Sequence, residues 1–417
     1  MKESYFIGCM TGNSMDAIDL VLTAFCGDKM CDVAGYSVPY SADMQTKMAT
    51  LRAQSYGKNR AQIEVLDDFY AIHDEYVQQV AAAVEVLCRK AGIRKEEIAA
   101  IGFHGKTLDH NPPSKAEKEK TQPYTVQLGS GKMLADLTGI RVVYDFRSAY
   151  IMAGFEGAPL VSLHNAHIAA TEGDGIYYNG GNTANFAVIK QGKPVLAADV
   201  GPFNNYIDTY IRQQTSLAFD EDGKFGQKGC LQAELFARLF EIGREFYEKP
   251  FPKSGDPAYY HQDEIFSFVQ EKQIDFCDAV RTFEYFSAYV TAFALAQAQQ
   301  NVTLPPEIIL FGGGWKNPVV LESFERILSG KGTVLPEHQR LFADFLKRYP
   351  LFHIRYSSLG TYMEARLFAD MARYRLAERP WILPETENII AGEIAQPQST
   401  RNVYDDYLNK AVKGWQK

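Results

Sequence analysis

The sequence predicts an α/β protein made of two similar halves, and three observations carry that expectation. Residues 5–25 read as a short apolar strand, Tyr5-Phe6-Ile7, a break at Gly8 and again at Gly12-Asn13-Ser14, and a second apolar strand from Ile18. Residues 175–190 do the same, with Asn179-Gly180-Gly181-Asn182-Thr183 as the break. Each hairpin leads through helical sequence to an apolar strand ending in small residues, at 98–105 and again at 308–314. Strands alternating with helical stretches are the pattern of an α/β fold. Similarity at this scale is a duplicated domain, not a solenoid period. A chain of 417 residues is naturally divided in two.

The two turns also carry chemistry. Small residues let a ligand approach the backbone, and turn N–H groups can face an anion. Asp16 and Asp19 follow the first turn, where carboxylates could hold a phosphate-bound Mg²⁺ through waters. A plain hairpin with a polar tip has the same pattern. Two such turns together suggest a phosphate clamped from both sides of a cleft.

Composition narrows the classes. Hydrophobic residues make up 46% and charged residues 23%, enough for full-sized cores. A net charge of -8 argues against a nucleic-acid partner. The six cysteines show no CxxC pair or metal-finger spacing and read as cytoplasmic thiols. No apolar run reaches the ~20 residues of a membrane span, and the glycines at 8 and 12 interrupt any signal-peptide pattern.

In chain order, residues 33–39 make a third strand and 42–54 have helical composition. Residues 60–92 read as one long helical region, with Ile63, Leu66, Phe69, Val77, Val80, Val84 and Leu87 on an apolar stripe and Gly92 closing it. Residues 111–122 are polar, lysine-rich and read as a solvated loop. Strands at 125–128 and 141–146 flank a short helix, and the segment 153–160 is a Gly/Pro turn leading into a helix with His164 and His167. Past the second hairpin come a strand at 195–199, helices from 204 and 231, a long apolar helix at 279–300, the 308–311 strand, and a last core helix at 361–374. A short helical pattern follows at 403–415. The triple glycine Gly312-Gly313-Gly314 lets a flat ring approach the backbone, which suits an adenine or ribose. Walker, Rossmann, HExxH and GxSxG motifs are absent.

Taken together, these residues resemble the anhydro-N-acetylmuramic acid kinase family, over residues 5–397 and in the right order. Gly8-Cys9-Met10-Thr11-Gly12-Asn13-Ser14-Met15-Asp16-Ala17-Ile18-Asp19 is similar to the family's GxMSGTSxDGID. The segment 102–112, with His104-Gly105-Lys106-Thr107, is similar to GxHGQTxxHxP. Asp145-Phe146-Arg147, Gly157-Ala158-Pro159-Leu160, Lys253-Ser254 and Glu364-Ala365 resemble DFR, GAPL, PPKS and EA. Asp199, Gly201, Pro202 and Asn204 resemble DxGPxN, and Gly312-Gly313-Gly314 with Asn317 resembles GGGxxN.

The resemblance implies two RNase H-like domains of the actin/hexokinase type around a central nucleotide and sugar cleft. The expected division is 1–145, joined by 380–417, and 146–379. It implies a cytoplasmic, ATP- and Mg²⁺-dependent kinase whose partner is a small amino sugar; a homodimer is one assembly the chain allows. In the family reaction, water opens a 1,6-anhydro ring and O6 takes the γ-phosphoryl group, within peptidoglycan recycling. ATP would meet Gly12, Asn13, Ser14, Met15, Asp16, Ala17, Ile18, Asp19, Asn179, Gly181, Asn182, Gly201, Gly312, Gly313, Gly314 and Asn317. Sugar would meet His104, Arg147 and Glu364, and Mg²⁺ would meet Asp16, Asp19 and Asp199, in part through water. Where the family carries its catalytic aspartate, three residues after the DFR arginine, this chain has Tyr150, and Glu156 stands where the family has Gln. Glu156 is then the candidate replacement base. A catalytically impaired nucleotide- or sugar-binding homologue, and a kinase for another amino sugar, remain as alternatives.

Overall fold

A computed structural model describes residues 3–12, 17–158, 160–251, 253, 260–359, 362–382, 386 and 388–398. Thirteen strands are named in chain order: β1 Ser4–Thr11, β2 Ala17–Cys26, β3 Lys29–Pro39, β4 Ile98–Phe103, β5 Lys106–Asn111, β6 Tyr124–Leu128, β7 Val142–Tyr144, β8 Gly175–Gly180, β9 Thr183–Lys190, β10 Lys193–Pro202, β11 Glu307–Phe311, β12 His353–Tyr356 and β13 Glu393–Ala395. Two compact units contain them, residues 1–171 with 362–417, and residues 172–361.

Unit 1 holds a sheet in the order β13-β7-β4-β1-β2-β3. β1, β2 and β3 form an antiparallel meander, while β4 and β7 run parallel to β1 and to each other. Unit 2 holds the order β10-β9-β8-β11-β12, again an antiparallel meander followed by two parallel strands. Without β13, the two sheets have the same 3-2-1-4-5 order, which is the RNase H-like arrangement. The duplication read from two hairpins is therefore a duplication of whole sheets.

In unit 1 the helix Phe69–Ala91 covers one sheet face with Tyr76, Val77, Val80, Val84 and Leu87, all buried, and stops at Gly92 in the left-handed conformation. The helix Met363–Leu376 lies directly against the strands, because Gly8 and Gly102 leave room for its backbone. A Cβ on Gly8 would stand 1.7 Å from the Ala365 carbonyl, and one on Gly102 would stand 1.9 Å from that of Phe368. In unit 2 the helix Phe276–Ala298 is buried for most of its length, as an all-round apolar sequence requires. Its first turn is capped by Asp275, which accepts from the Cys277 amide at 2.9 Å.

Three expectations differ from the structure. The helical region at 60–92 is two helices, Arg60–Ile63 and Phe69–Ala91. Asn59 and Gln62 close a capping box on the first, and Asp68 takes a positive φ of 63° before the second, so the apolar stripe continues across a break. The polar stretch 111–122 contains the helix Pro113–Glu119, with two prolines at its start, carried on the β5–β6 ribbon. The units divide at 171/172 and 361/362 rather than at 145/146 and 379/380. The close packing on Gly8 and Gly102 makes residues 363–376 part of unit 1. The helical pattern at 403–415 lies outside the described residues.

Candidate active site

In unit 1 the parallel strands deliver their ends to one place. β4 ends at Phe103, and His104 follows it, buried, with its ring 4.6 Å from that of Phe368. After β7 the chain turns sharply. Asp145 adopts a positive φ of 52° and accepts from Ser148 Oγ at 2.6 Å, which swings Arg147 back toward β4. Arg147 then donates from Nε to His104 Nε2 at 3.0 Å and from Nη1 to the Gly157 carbonyl at 2.7 Å. His104 donates from Nδ1 to the Gly105 carbonyl at 3.0 Å, so its tautomer is fixed from both sides. Burial and the Arg147 charge hold the His104 pKa well below the usual range, so the ring is neutral at pH 7. Burial brings Arg147 down to about 10, partly offset by the Glu364 carboxylate, and it stays charged. Glu364, in the first turn of the Met363–Leu376 helix, is exposed. The three sugar-side residues nominated by the sequence, His104, Arg147 and Glu364, are thus brought together.

The first turn is anchored by residues the sequence reading missed. The Gly12 carbonyl accepts from Lys106 Nζ at 2.9 Å, and Lys106 is almost fully buried. Thr11 Oγ1 meets the hydroxyls of Tyr40 at 2.8 Å and Tyr76 at 3.1 Å. The one signal for Lys106 was its standing where the family pattern has Gln. Ala17 and Ile18 open β2, and Asp19 on the same strand accepts from Ser37 Oγ at 2.6 Å. Asn13, Ser14, Met15 and Asp16 lie outside the described residues, as does Ser254.

The residue at the family's aspartate position and the candidate replacement base both have other partners. Tyr150 is fully buried, its hydroxyl donates to the Trp381 carbonyl, and burial pushes its pKa up rather than down. A phenol in that setting does not take a proton at neutral pH. The Glu156 carboxylate accepts from Ser114 N at 3.1 Å and from Ser114 Oγ at 2.7 Å, at the start of the Pro113–Glu119 helix, so it serves as that helix's cap. Its carbonyl accepts from His110 Nε2 at 3.0 Å.

In unit 2 the β8–β9 turn is stitched to the exit of β10. The Gly181 carbonyl accepts from Asn204 N at 3.1 Å, and the Asn182 carbonyl accepts from Phe203 N at 3.0 Å and Asn205 N at 3.2 Å. Gly201 lies on the last residues of β10, next to that junction. The triglycine turn packs onto the same hairpin. Gly312 has a φ of 92°, and a Cβ there would stand 2.6 Å from Asn179 Oδ1; Gly314 lies similarly close to Asn204. Gly313 faces open space. Asn182 and Gly313 are exposed, Gly181 and Gly312 partly so, while Asn179, Gly201 and Gly314 lie buried beneath them. Asn317 differs: its amide caps the Pro318–Leu328 helix and is held by Glu284. Asp199 is half-buried on β10 beside a bulge, and its N–H donates to the Lys253 carbonyl at 3.0 Å. Lys253 Nζ donates to the Phe246 and Tyr247 carbonyls, and burial brings its pKa down to about 7.

Among the described residues no cluster of three or more His, Cys, Asp or Glu could hold a metal by itself. Mg²⁺ carried on substrate phosphates takes only one or two protein carboxylates and water. Asp19 and Asp199 are such carboxylates, each near a glycine turn. The open face over Gly313 fits a flat nucleotide moiety.

Two sheets of one topology, each with a glycine-rich hairpin turn, define a two-domain α/β protein of the actin/hexokinase type. Within that class, this chain belongs to the anhydro-N-acetylmuramic acid kinase family, whose description "Anhydro-N-acetylmuramic acid kinase" matches residues 4–344. Relatives of that name include one from Xanthomonas oryzae pv. oryzae, 30% identical over 91% of this chain and 93% of its own. Another, from Nitrosospira multiformis, is 29% identical over 84% of this chain and 90% of its own. A third, from Vibrio cholerae, is 28% identical over 92% of this chain and 95% of its own. Among the described residues no helix is long and apolar enough to cross a membrane.

Proposed function

We propose that this chain is an ATP-dependent kinase that opens the 1,6-anhydro ring of 1,6-anhydro-N-acetylmuramic acid with water and phosphorylates O6, giving N-acetylmuramic acid 6-phosphate. The observation that carries the reading is the family match over residues 4–344 together with the convergence of His104, Arg147 and Glu364 in one unit. Mg·ATP, when bound, supplies the phosphoryl group. Unit 2 offers it the Asn179–Asn182 and Gly312–Gly314 turns, whose backbones can approach phosphate and base closely.

Arg147, held in place by neutral His104, orients the sugar's polar groups, with the exposed Glu364 accepting from its hydroxyls. Orientation of this kind is the larger part of phosphoryl-transfer catalysis. Tyr150 and Glu156 take no part in proton transfer, since one is a buried donor and the other a helix cap. Asp199, with Asp19, is a carboxylate nominated for Mg²⁺, held directly or through water, and its removal probes that role. The test is phosphate transfer from ATP to a panel of amino sugars that includes the anhydro sugar. Asp199→Asn should lower kcat at least ~10²-fold, the scale of a positioned base or metal carboxylate, with little change in melting temperature. Transfer to a different sugar only, or full activity in Asp199→Asn, would overturn the respective part of the reading.

A further inference from the structure

Unit 2 buries a carboxyl that the chemistry above does not use. Glu284, on the Phe276–Ala298 helix, is fully enclosed. Its Oε1 accepts from Asn317 Nδ2 at 2.6 Å, and the carboxyl also meets the Asp220 side chain. Asn317 Oδ1 in turn accepts from the Val319 and Val320 amides at 2.9 and 3.4 Å. Glu284 therefore dictates which way the Asn317 amide faces. On its other side lies the 219–229 turn. A Cβ on Gly226 would stand 1.7 Å from Glu284 Oε2, so only glycine admits the carboxyl there. Asp220 gathers that turn by accepting from the Phe225 and Gly226 amides, each at 3.0 Å. A Cβ on Gly223 would stand 2.9 Å from Asn317 Oδ1, so the turn also reaches Asn317 itself.

We propose that Glu284 is a positioning residue for the nucleotide: it locks Asn317, and with it the Gly312–Gly314 turn, against the 219–229 turn. This rests on the nucleotide reading of the triglycine turn. The groups facing Glu284 are Asp220 from the turn, Asn317 from the next element and Arg281 on its own helix. Burial and Asp220 outweigh Asn317 and Arg281 and push the carboxyl up to about 8. At pH 7 it is protonated. Above pH 8 it gains a charge beside the Asp220 carboxylate, which loosens the contact between the two turns.

The experiment compares wild type, Glu284→Ala and Glu284→Gln. The readouts are KM for ATP and kcat at saturating sugar from pH 7 to 9, and amide hydrogen exchange at Val319 and Val320. Glu284→Ala should raise KM for ATP about tenfold, the loss of one buried hydrogen-bond partner, while kcat moves much less. Val319 and Val320 should exchange faster in it. Wild type should show KM rising above pH 8, and Glu284→Gln, which cannot ionise, should not. A wild-type KM in Glu284→Ala, or the same alkaline rise in Glu284→Gln, would overturn the inference. Should Glu284→Ala fail to fold, the Glu284→Gln pH series decides. Absence of any ATP turnover in wild type would refute the kinase reading. Unchanged exchange at Val319 and Val320 refutes the positioning role whether or not ATP is turned over.

Discussion

Replacing Arg147 separates its shape from its charge. The guanidinium makes two divergent hydrogen bonds, to His104 Nε2 at 3.0 Å and to the Gly157 carbonyl at 2.7 Å. Lysine keeps the charge but cannot serve both acceptors from one ammonium on the same path. Arg147→Lys therefore loses at least one hydrogen bond from a charged donor, worth about 1.5–3 kcal/mol. If the pair orients the sugar in the transition state, kcat/KM falls roughly 10- to 150-fold. Arg147→Gln also removes the charge, which is one of the two main causes depressing the His104 pKa. That pKa then rises, and the acid limb of the kcat/KM profile moves to higher pH in Arg147→Gln but not in Arg147→Lys. The assay is ADP release with the anhydro sugar between pH 5 and 8. Arg147→Lys within threefold of wild type, or coincident acid limbs in the two variants, would refute the orienting role.

Tyr150→Phe should keep turnover within about twofold, because the hydroxyl is a buried donor and not a base; a loss beyond the ~10²-fold scale of a positioned base would restore it to the chemistry. Asp370→Asn should destabilise unit 1 by about 3 kcal/mol in denaturant unfolding, the low end for breaking a buried ion pair. The low end applies because Arg373, which bonds Asp370 Oδ1, keeps the Gly27 carbonyl as a second acceptor, and the asparagine oxygen can still accept from His164 and His167 Nδ1, which bond Oδ2. His110 and His164 are both held neutral, with pKa values lowered to about 4 chiefly by burial. The unfolded chain binds their protons first, so stability should fall as pH drops from 6.5 toward 4. A flat stability profile over that range would contradict their burial.

What the sequence made legible was backbone chemistry. Hairpins, glycine turns and apolar strands are local patterns, and both sheets, the 179–182 turn and the triglycine turn lie where those patterns placed them. The β4 end and the DFR turn could be read as separate motifs. Their meeting through Arg147 and His104 was implied by the family order and not by spacing, since residues 104 and 147 sit on different strands. What stayed illegible was the reuse of polar side chains by tertiary partners. Glu156 reads as an acid on a glycine-rich segment, and nothing local says that Ser114, across a polar stretch taken for a loop, claims both its oxygens. Tyr150 reads as a lost aspartate, but its acceptor, the Trp381 carbonyl, lies far along the chain. Lys106 stands where the family has Gln, and its ammonium reaches back to the Gly12 carbonyl and fixes the near end of the first turn. In each case the residue type survives inspection while its hydrogen-bond partner decides its role. A buried donor or acceptor must find a partner or bear the full desolvation cost. Glu156 obeys a weaker form of that rule: Ser114 is exposed and its groups can turn to water, so two hydrogen bonds, and not a desolvation cost, hold the carboxylate at the helix start.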